Sequence, residues 1–159
     1  NVNDVVPRFL QGEDYTPRKA KATLSNAMDV GDPSNFVRIM ELFEKSLPGL
    51  SKKLSSVSLS DSETEQTIEQ VYQEYDYLLD PHGAVGFHAL QKYLSHHPER
   101  KGFFLETAHP VKFPESVERI TGIKIPLPEH VRPIMEAEKK STIIEATYEA
   151  LKNNIIRGK

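Results

Sequence analysis

Residues 102–113 read GFFLETAHPVKF, a short apolar run that changes abruptly into a hydroxyl, an imidazole and an ammonium. The run from Phe103 to Glu106 predicts a buried strand, because aromatic and aliphatic residues dominate it. In open α/β sheets, ligands bind at the ends of strands. The polar residues that begin at Thr107 are therefore the first place to look for chemistry.

The preceding 50 residues predict a strand followed by two helices. LSSVSLS, residues 54–60, predicts a short strand, and Ser60 with Glu63 has the pattern of a capping box that starts a helix. The apolar positions of that helix are Ile68, Val71, Tyr72, Tyr75 and Leu79. HGAVGFHALQKYL, residues 82–94, is apolar around most of its circumference and predicts a buried helix. Short strands covered by helices indicate the α/β class.

The remaining segments predict further helices joined by loops. Asn3 and Asp4 can cap a helix over Val5 to Gln11, and a polar loop should follow from Glu13 to Ser25. A second helix should have Asp32 as N-cap, Pro33 at its first position and Pro48-Gly49 as its stop. Its apolar face contains Phe36, Ile39, Met40 and Phe43.

Two helices are expected after the GFFLETAHPVKF segment. One runs from Glu115 to Ile120 and is closed by Thr121-Gly122. The other ends the chain and carries Ile144, Tyr148, Leu151 and Ile155 at helical spacing. A Pro-punctuated connector, IPLPEHVRP, separates them.

The composition limits the classes of function. The 159 residues suit one domain or a piece of one, and no apolar run approaches the roughly 20 residues that span a bilayer, so a membrane role is not expected. The net charge of -3 provides no basic field for nucleic acid. The chain has no cysteine, which excludes disulfides and thiolate chemistry, and no signal-like start, so a cytoplasmic location is expected. Because it begins without Met, we expect a fragment.

The six histidines do not form a metal-binding pattern. His96 and His97 are adjacent, so their side chains point about 100° apart on a helix, and no HExxH spacing occurs. We expect a helix-end pair that interacts with the last carbonyl groups, and no metal site. His82 follows Asp80-Pro81 at an element boundary, where a side chain can face a cleft, although a capping or structural role is the commoner one.

A polar cluster precedes the helix expected at Asp32. LSNAMDVGDPSN, residues 24–35, would place hydroxyl and amide groups beside a helix N-terminus, where phosphate or carboxylate can bind. Caps and turns use the same residue types for local reasons. No Walker-type or Rossmann glycine fingerprint is present. The residues alone therefore indicate a polar α/β site without naming a reaction.

Four segments, in this order and spacing, resemble the C-terminal part of the threonine synthase family. They are NVNDVVPRFL, ATLSNAMDVGDPSNFVRIMELF, DPHGAVGFHAL and TAHPVKFPESVERITG. The resemblance covers about residues 1–128 and implies the C-terminal portion of a pyridoxal-phosphate (PLP) enzyme domain of fold type II. It also implies conversion of O-phospho-L-homoserine and water to L-threonine and phosphate, a lyase reaction of threonine biosynthesis.

The same resemblance implies specific site residues. Thr107 matches the family's threonine that hydrogen-bonds the pyridine nitrogen of PLP. His109 and Lys112 are candidates to close the site or to meet an anionic group of the substrate. The other substrate-site candidates are Asn26, Asp29 and Asn35, which would order the loop facing the substrate, and His82, which would serve site architecture rather than proton transfer.

Two parts of the family pattern are missing. The Schiff-base lysine belongs to a Ser-Phe-Lys-Asp motif, and the cofactor phosphate binds a Gly/Asn-rich loop; neither occurs in this sequence. Both are expected upstream of Asn1, so no catalytic residue is assigned and the isolated chain should be inactive. Position 83 is Gly where family members often carry Thr or Ala, and no contact is assigned to it.

The expected organisation is a catalytic part over residues 1–128 and a connector with a C-terminal helix over residues 129–159, a helical extension that the resemblance does not cover. A chain cut beside a strand would leave an open sheet edge, through which copies could self-associate. Two alternatives stay open at this point. One is another fold type II lyase, such as a threonine dehydratase or a cysteine-synthase-like protein. The other is a non-catalytic regulatory or interaction domain derived from the same fold.

Overall fold

The computed structural model describes residues 1–157, which form two compact units. The first extends from Asn1 to Pro126 and the second begins at Leu127. Six α-helices are assigned in the first unit: α1 (Val5–Leu10), α2 (Phe36–Leu42), α3 (Leu47–Ser51), α4 (Asp61–Tyr75), α5 (Pro81–His96) and α6 (Pro114–Thr121). It also has two 3₁₀ turns, Asn26–Met28 and Pro110–Lys112. The second unit has α7 (Arg132–Met135) and α8 (Tyr148–Arg157).

The predicted strands are wrong, and with them the short-strand part of the α/β interpretation. Neither residues 54–60 nor Phe103 to Glu106 are in a strand, and residues 1–157 contain none. Phe103 is 84% exposed and Leu105 70% exposed, so the apolar run is not buried. A strand requires a neighbour that pairs with its backbone groups, and apolar composition alone does not supply one.

Helix α4 forms where the sequence predicts it. The Ser60 hydroxyl accepts a hydrogen bond from the Glu63 backbone N–H, and the Glu63 carboxylate accepts one from the Ser60 N–H, which completes the capping box. The helix ends at Asp76 in the left-handed conformation, with φ of 52°. Its buried face packs against α5 and α6.

The core lies where α4, α5 and α6 meet. Its fully packed members are Ile68, Val71, Leu79 and Ala84, and the partly buried rings and chains around them are Phe87, Phe104 and Ile120. The rings of Phe87 and Phe104 meet edge to face at 5.5 Å. Residues 102–106 therefore do touch the core, but through Phe104 rather than as a buried strand.

The other predicted helices shift at their ends. Helix α1 matches, although the Asp4 side chain makes no capping bond. Helix α2 begins at Phe36 instead of Pro33, because residues 33–36 form a turn closed by the bond from Phe36 N to Pro33 O at 3.0 Å. Pro48-Gly49 is not a stop: it lies inside α3, where Ser46 caps the Gly49 N–H. Helix α6 ends at Gly122, whose φ is 73°.

The second unit contains the expected C-terminal helix. Helix α8 carries Tyr148, Leu151 and Ile155, whereas Ile144 precedes it. The connector before it contains the short helix α7, which the sequence did not predict. Among the described residues, no helix combines the length and apolar character needed to cross a membrane.

Candidate active site

His82 stands at the beginning of α5 with both ring nitrogens engaged. Asp80 is the N-cap of this helix, and its Oδ1 accepts bonds from the His82 backbone N–H at 2.8 Å and from His82 Nδ1 at 2.7 Å. His82 Nε2 in turn accepts the backbone N–H of Ala27 at 3.1 Å. A ring that accepts at Nε2 and donates at Nδ1 is the neutral Nδ1–H tautomer. The His82 side chain is only 11% exposed.

The His82 ring also contacts the segment that contains the candidate residues His109 and Lys112. The ring of Phe113 lies 5.0 Å from it, centroid to centroid. Phe113 directly follows the 3₁₀ turn Pro110–Lys112. His82 therefore connects the start of α5 to two loops, one before α2 and one before α6.

A second contact joins Asp80 to the residue that precedes Thr107. The Asp80 backbone N–H donates to Glu106 Oε1 at 3.2 Å, and the two carboxyl groups are close enough to shift each other's pKa. Asp80 is fully buried. If both groups were ionised, Asp80 Oδ2 and Glu106 Oε2 would be buried without any donor. One proton between the two groups satisfies both atoms.

The two carboxyl groups titrate in opposite directions. Burial and the neighbouring Asp80 carboxyl raise the pKa of Glu106 to about 8. Burial alone would raise the pKa of Asp80, but the hydrogen bond from Glu106 and those from His82 lower it below its usual value. These opposite directions favour Glu106 as the group of the pair that holds a proton and Asp80 as the group that is ionised.

The loop that contains Asn26 and Asp29 is held from the N-terminus. Asp29 accepts bonds from the Thr23 backbone and hydroxyl at 2.9 and 2.6 Å. It also accepts from the side chains of Asn1 and Asn3 at 3.0 and 3.1 Å. Asp29 thus lies inside a network formed by Thr23 of the loop and two asparagines of the N-terminal segment.

The candidate residues Asn26 and Asn35 are both exposed. Asn26 begins the 3₁₀ turn whose Ala27 N–H reaches His82. Asn35 is the N-cap of α2, but its side chain makes no capping bond. Within residues 1–157, neither amide has a partner that would prevent it from binding a ligand.

Thr107, His109 and Lys112 are exposed as well. His109 is the N-cap of the turn Pro110–Lys112, and its Nδ1 accepts the Val111 N–H at 3.1 Å. The neutral His109 ring therefore carries its proton on Nε2, which has no partner among the described residues. The Thr107 hydroxyl has no hydrogen-bond partner in the part of the chain that the structure describes.

The structure does not bring all predicted residues into mutual contact, but it connects their segments in series. The loop of residues 23–29 binds His82, His82 binds Asp80, and Asp80 binds Glu106, which is next to Thr107. The histidine pair lies elsewhere: His96 Nδ1 bonds the Lys92 carbonyl at 2.8 Å, as expected at a helix end. No cluster of three potential metal ligands occurs among the described residues.

Sequence reasoning missed Asp80, Glu106 and Gly83. A Cβ on Gly83 would lie 1.9 Å from Glu106 Oε2, so the glycine makes room for the Glu106 carboxyl group. No contact was predicted for position 83, and the structure shows that Gly83 lies against Glu106. Asp before Pro at a helix start was a signal for Asp80, but no local pattern links it to a carboxyl group 26 residues away.

Comparison with known proteins relates the chain to one family. Residues 83–155 match the family model described as threonine synthase, C-terminal. A threonine synthase from Haemophilus influenzae is 50% identical over 129 residues, which are 81% of this chain and 29% of that protein. The Escherichia coli threonine synthase is 41% identical over 152 residues, which are 96% of this chain and 35% of that protein. The chain thus spans about a third of the length of the curated relatives it matches.

Solved structures agree with the sequence matches. The crystal structure of E. coli threonine synthase superposes with a TM-score of 0.86 at 39% identity, over all of this chain and 36% of that one. A PLP-bound threonine synthase from Brucella melitensis gives 0.72 at 25% identity, over 99% of this chain and 39% of that one.

These neighbours place the fold in the class of the fold type II enzymes. Within that class, the chain is similar to the C-terminal part of the threonine synthase family. The family model extends to residue 155, so the expectation that the family resemblance ends near residue 128 is wrong.

Proposed function

We propose that the protein carrying this chain is a threonine synthase that uses PLP to convert O-phospho-L-homoserine and water into L-threonine and phosphate. The observation that supports this function is that similarity to threonine synthases covers nearly the whole chain, including the four site segments, and that these segments are joined by specific contacts. No observation favours the dehydratase-like, cysteine-synthase-like or non-catalytic alternatives.

The residues present fit a pyridine ring at Thr107. Its side chain is exposed, and its hydroxyl is free of other partners within the described residues, so it can donate a hydrogen bond to a ring nitrogen. A neutral hydroxyl leaves that nitrogen unprotonated, whereas a carboxylate would hold it as a pyridinium. When bound, PLP supplies an electron-withdrawing ring that assists bond breaking in an amino-acid substrate.

The other candidates divide into binding and ordering roles. We assign His109 and Lys112 to the phosphate of the substrate, because an Nε2–H and an ammonium are both donors that suit an anion. Asn26 and Asn35 provide exposed amides on the facing loop. Asp29 orders that loop, and His82, with both ring nitrogens engaged, holds the loop to α5.

The lysine that binds the cofactor is proposed to lie outside these 159 residues, which lack the family's Ser-Phe-Lys-Asp motif. Titration of the isolated chain with PLP, followed by borohydride reduction and peptide mapping, should give no stoichiometric adduct at a single lysine. Such an adduct would mean that the cofactor lysine is on this chain and would overturn the assignment.

The direct test is product analysis with the full-length protein. With PLP and O-phosphohomoserine, it should release phosphate and form threonine in equal amounts. A 2-oxo acid in place of threonine would indicate a dehydratase, and no reaction would indicate a non-catalytic protein.

A pair of variants tests Thr107 itself. T107V removes the hydroxyl at nearly constant volume and should lower kcat and shift the absorption spectrum of bound PLP. T107S keeps the hydroxyl, so its kcat and its PLP absorption spectrum should stay closer to those of the native protein. Equal behaviour of the two variants would show that the hydroxyl has no role.

A further inference from the structure

Glu106 carries no role in the proposed reaction, yet its carboxyl group is built into the start of α5. Oε1 accepts the Asp80 N–H, and Oε2 is buried at Gly83, where even a methyl group would collide with it. The Glu106 carboxyl group therefore has a defined position, which depends on the absence of a side chain at Gly83.

Two buried carboxyl oxygens without a hydrogen-bond partner, Asp80 Oδ2 and Glu106 Oε2, indicate the role of the Glu106 carboxyl group. Asp80 Oδ1 is saturated by the two bonds from His82, whereas Oδ2 is buried and needs a donor. Within residues 1–157, the titratable groups that bear on Glu106 are Asp80 and, through Asp80, His82. The uncharged ring of Phe113 also lies against the His82 ring. The Glu106 carboxyl group is therefore the donor available to Asp80 Oδ2.

We propose that Glu106 is a positioning residue, held as a neutral carboxylic acid that donates its proton to Asp80 Oδ2. Asp80 then stays a single buried anion, which fixes the Nδ1–H tautomer of His82 and leaves Nε2 free to accept the Ala27 N–H. Glu106 thus acts on the loop of residues 23–29 indirectly, through Asp80 and then His82. Because Glu106 precedes Thr107 directly, the same pair also anchors the segment on which Thr107 is presented.

The raised pKa of Glu106, about 8, supports this protonation state at neutral pH. Above that pH the pair would become two adjacent carboxylates, which repel each other in a buried site. The consequence is a site that loses its arrangement on the alkaline side.

The protonation state can be tested by infrared spectroscopy on the full-length protein, independently of activity. A protonated carboxyl group has a C=O stretching band that a carboxylate lacks. The difference between the native protein and E106Q at pH 7 should contain this band, and the band should vanish as the pH rises above about 8. Its absence at pH 7 would overturn the proposal.

Two glycines of α5 supply a matched pair of variants that leave both carboxyl groups intact. G83A should expel the Glu106 carboxyl group and abolish the band at pH 7. G86A should keep it, because a Cβ at Gly86 would make only ordinary contacts, 3.8 Å from Phe104. Both changes replace a helical glycine with alanine, so their effects on helix propensity are similar. An unchanged band in G83A would contradict the proposed geometry.

The positioning role has a second readout, which rests on the proposed function. E106A leaves a buried acceptor unpaired and should lower kcat/KM for threonine formation by about tenfold. E106Q provides an amide donor in place of the acid, so it should lose less activity and should lose the alkaline limb of the pH profile. Equal loss in both variants would overturn the positioning role. If the native protein forms no threonine but the infrared band is present, the proposed function fails and the carboxyl pair stands.

Discussion

Oδ1 of Asp80 accepts two hydrogen bonds from one residue, His82: one from its backbone N–H at 2.8 Å and one from its ring at 2.7 Å. The first bond caps α5, and the second fixes the tautomer of the ring. A single oxygen therefore couples the start of a helix to the orientation of a side chain that holds a neighbouring loop.

This coupling predicts a large effect of truncating Asp80. D80A removes the cap, leaves His82 Nδ1–H without its acceptor and leaves Glu106 without its partner. We expect the free energy of opening of α5 to fall by about 1–3 kcal/mol, measured by hydrogen exchange of its amides. D14A, at an exposed aspartate in the loop before α2, is the control and should change it little. Similar effects of the two variants would refute the coupling.

The carboxyl pair predicts an unusual dependence of stability on pH. Glu106 has a pKa of about 8 in the folded protein and about 4.3 in an unfolded chain, so the folded state binds the extra proton between these values. Its contribution to stability is complete below about pH 4.3 and declines as the pH rises to about 8. E106Q should remove this decline in a comparison of thermal unfolding across pH 5 to 9. A decline of the same size in E106Q would assign it to other groups.

Asp80 contributes at the acid end with the opposite sign. Its pKa is lowered on folding, so its contribution is complete above its ordinary pKa of about 3.9 and is lost as the pH falls further. Loss of stability below that pH should therefore be smaller in D80N than in the native protein, measured by the same unfolding series. A steeper acid loss in D80N would contradict the lowered pKa.

Burial in the core predicts the response to leucine truncation. Leu79 is 0% exposed at the meeting point of α4 and α5, so L79A should lower the free energy of unfolding by about 2–5 kcal/mol. Leu42 is 81% exposed on α2, and L42A should change it by less than about 0.5 kcal/mol. Urea unfolding of the full-length protein measures both, and comparable values would place Leu79 outside the core.

The capping box predicts a smaller, local effect. S60A removes the acceptor of the Glu63 N–H and should lower the stability of α4 by about 0.5–2 kcal/mol. Ser62, in the first turn of the same helix, is exposed and has no capping role, so S62A is the matched control. Hydrogen exchange of the α4 amides should separate the two variants, and identical protection would argue against the box.

Local signals in the sequence were sufficient for several helices but not for the strands. The Ser60 and Glu63 pattern and the glycine after α6 act within one helical turn, and both helices form as predicted. The run from Phe103 to Glu106 has strand composition, but pairing depends on a distant neighbour that composition does not identify. Pro48-Gly49 was predicted to end a helix, but it lies in the first turn of α3. Proline is acceptable there, because the first N–H groups of a helix have no partner within the helix.

The candidate site was predictable as a set of segments and not as a set of contacts. The segments around Asp29, His82 and Thr107 were identified from their residues and the family resemblance, and the structure links the first two directly through Ala27. The Asp80 and Glu106 pair was not predictable, because each carboxyl group has an ordinary local explanation, as a helix cap and as a strand end. Their proximity and the missing Cβ of Gly83, which only the structure shows, are the basis for the proton that we propose they share.

The bond from Ala27 to His82 joins residues 55 positions apart, whereas α4 and α5, which pack against each other, are consecutive helices separated by residues 76–80. Closing so long a loop costs more entropy than bringing adjacent helices together. We therefore expect α4 and α5 to pair before the loop of residues 23–29 docks on them. Changes in that loop would then accelerate unfolding and leave the folding rate almost unaltered, so the loop governs how long the native protein persists rather than how fast it forms.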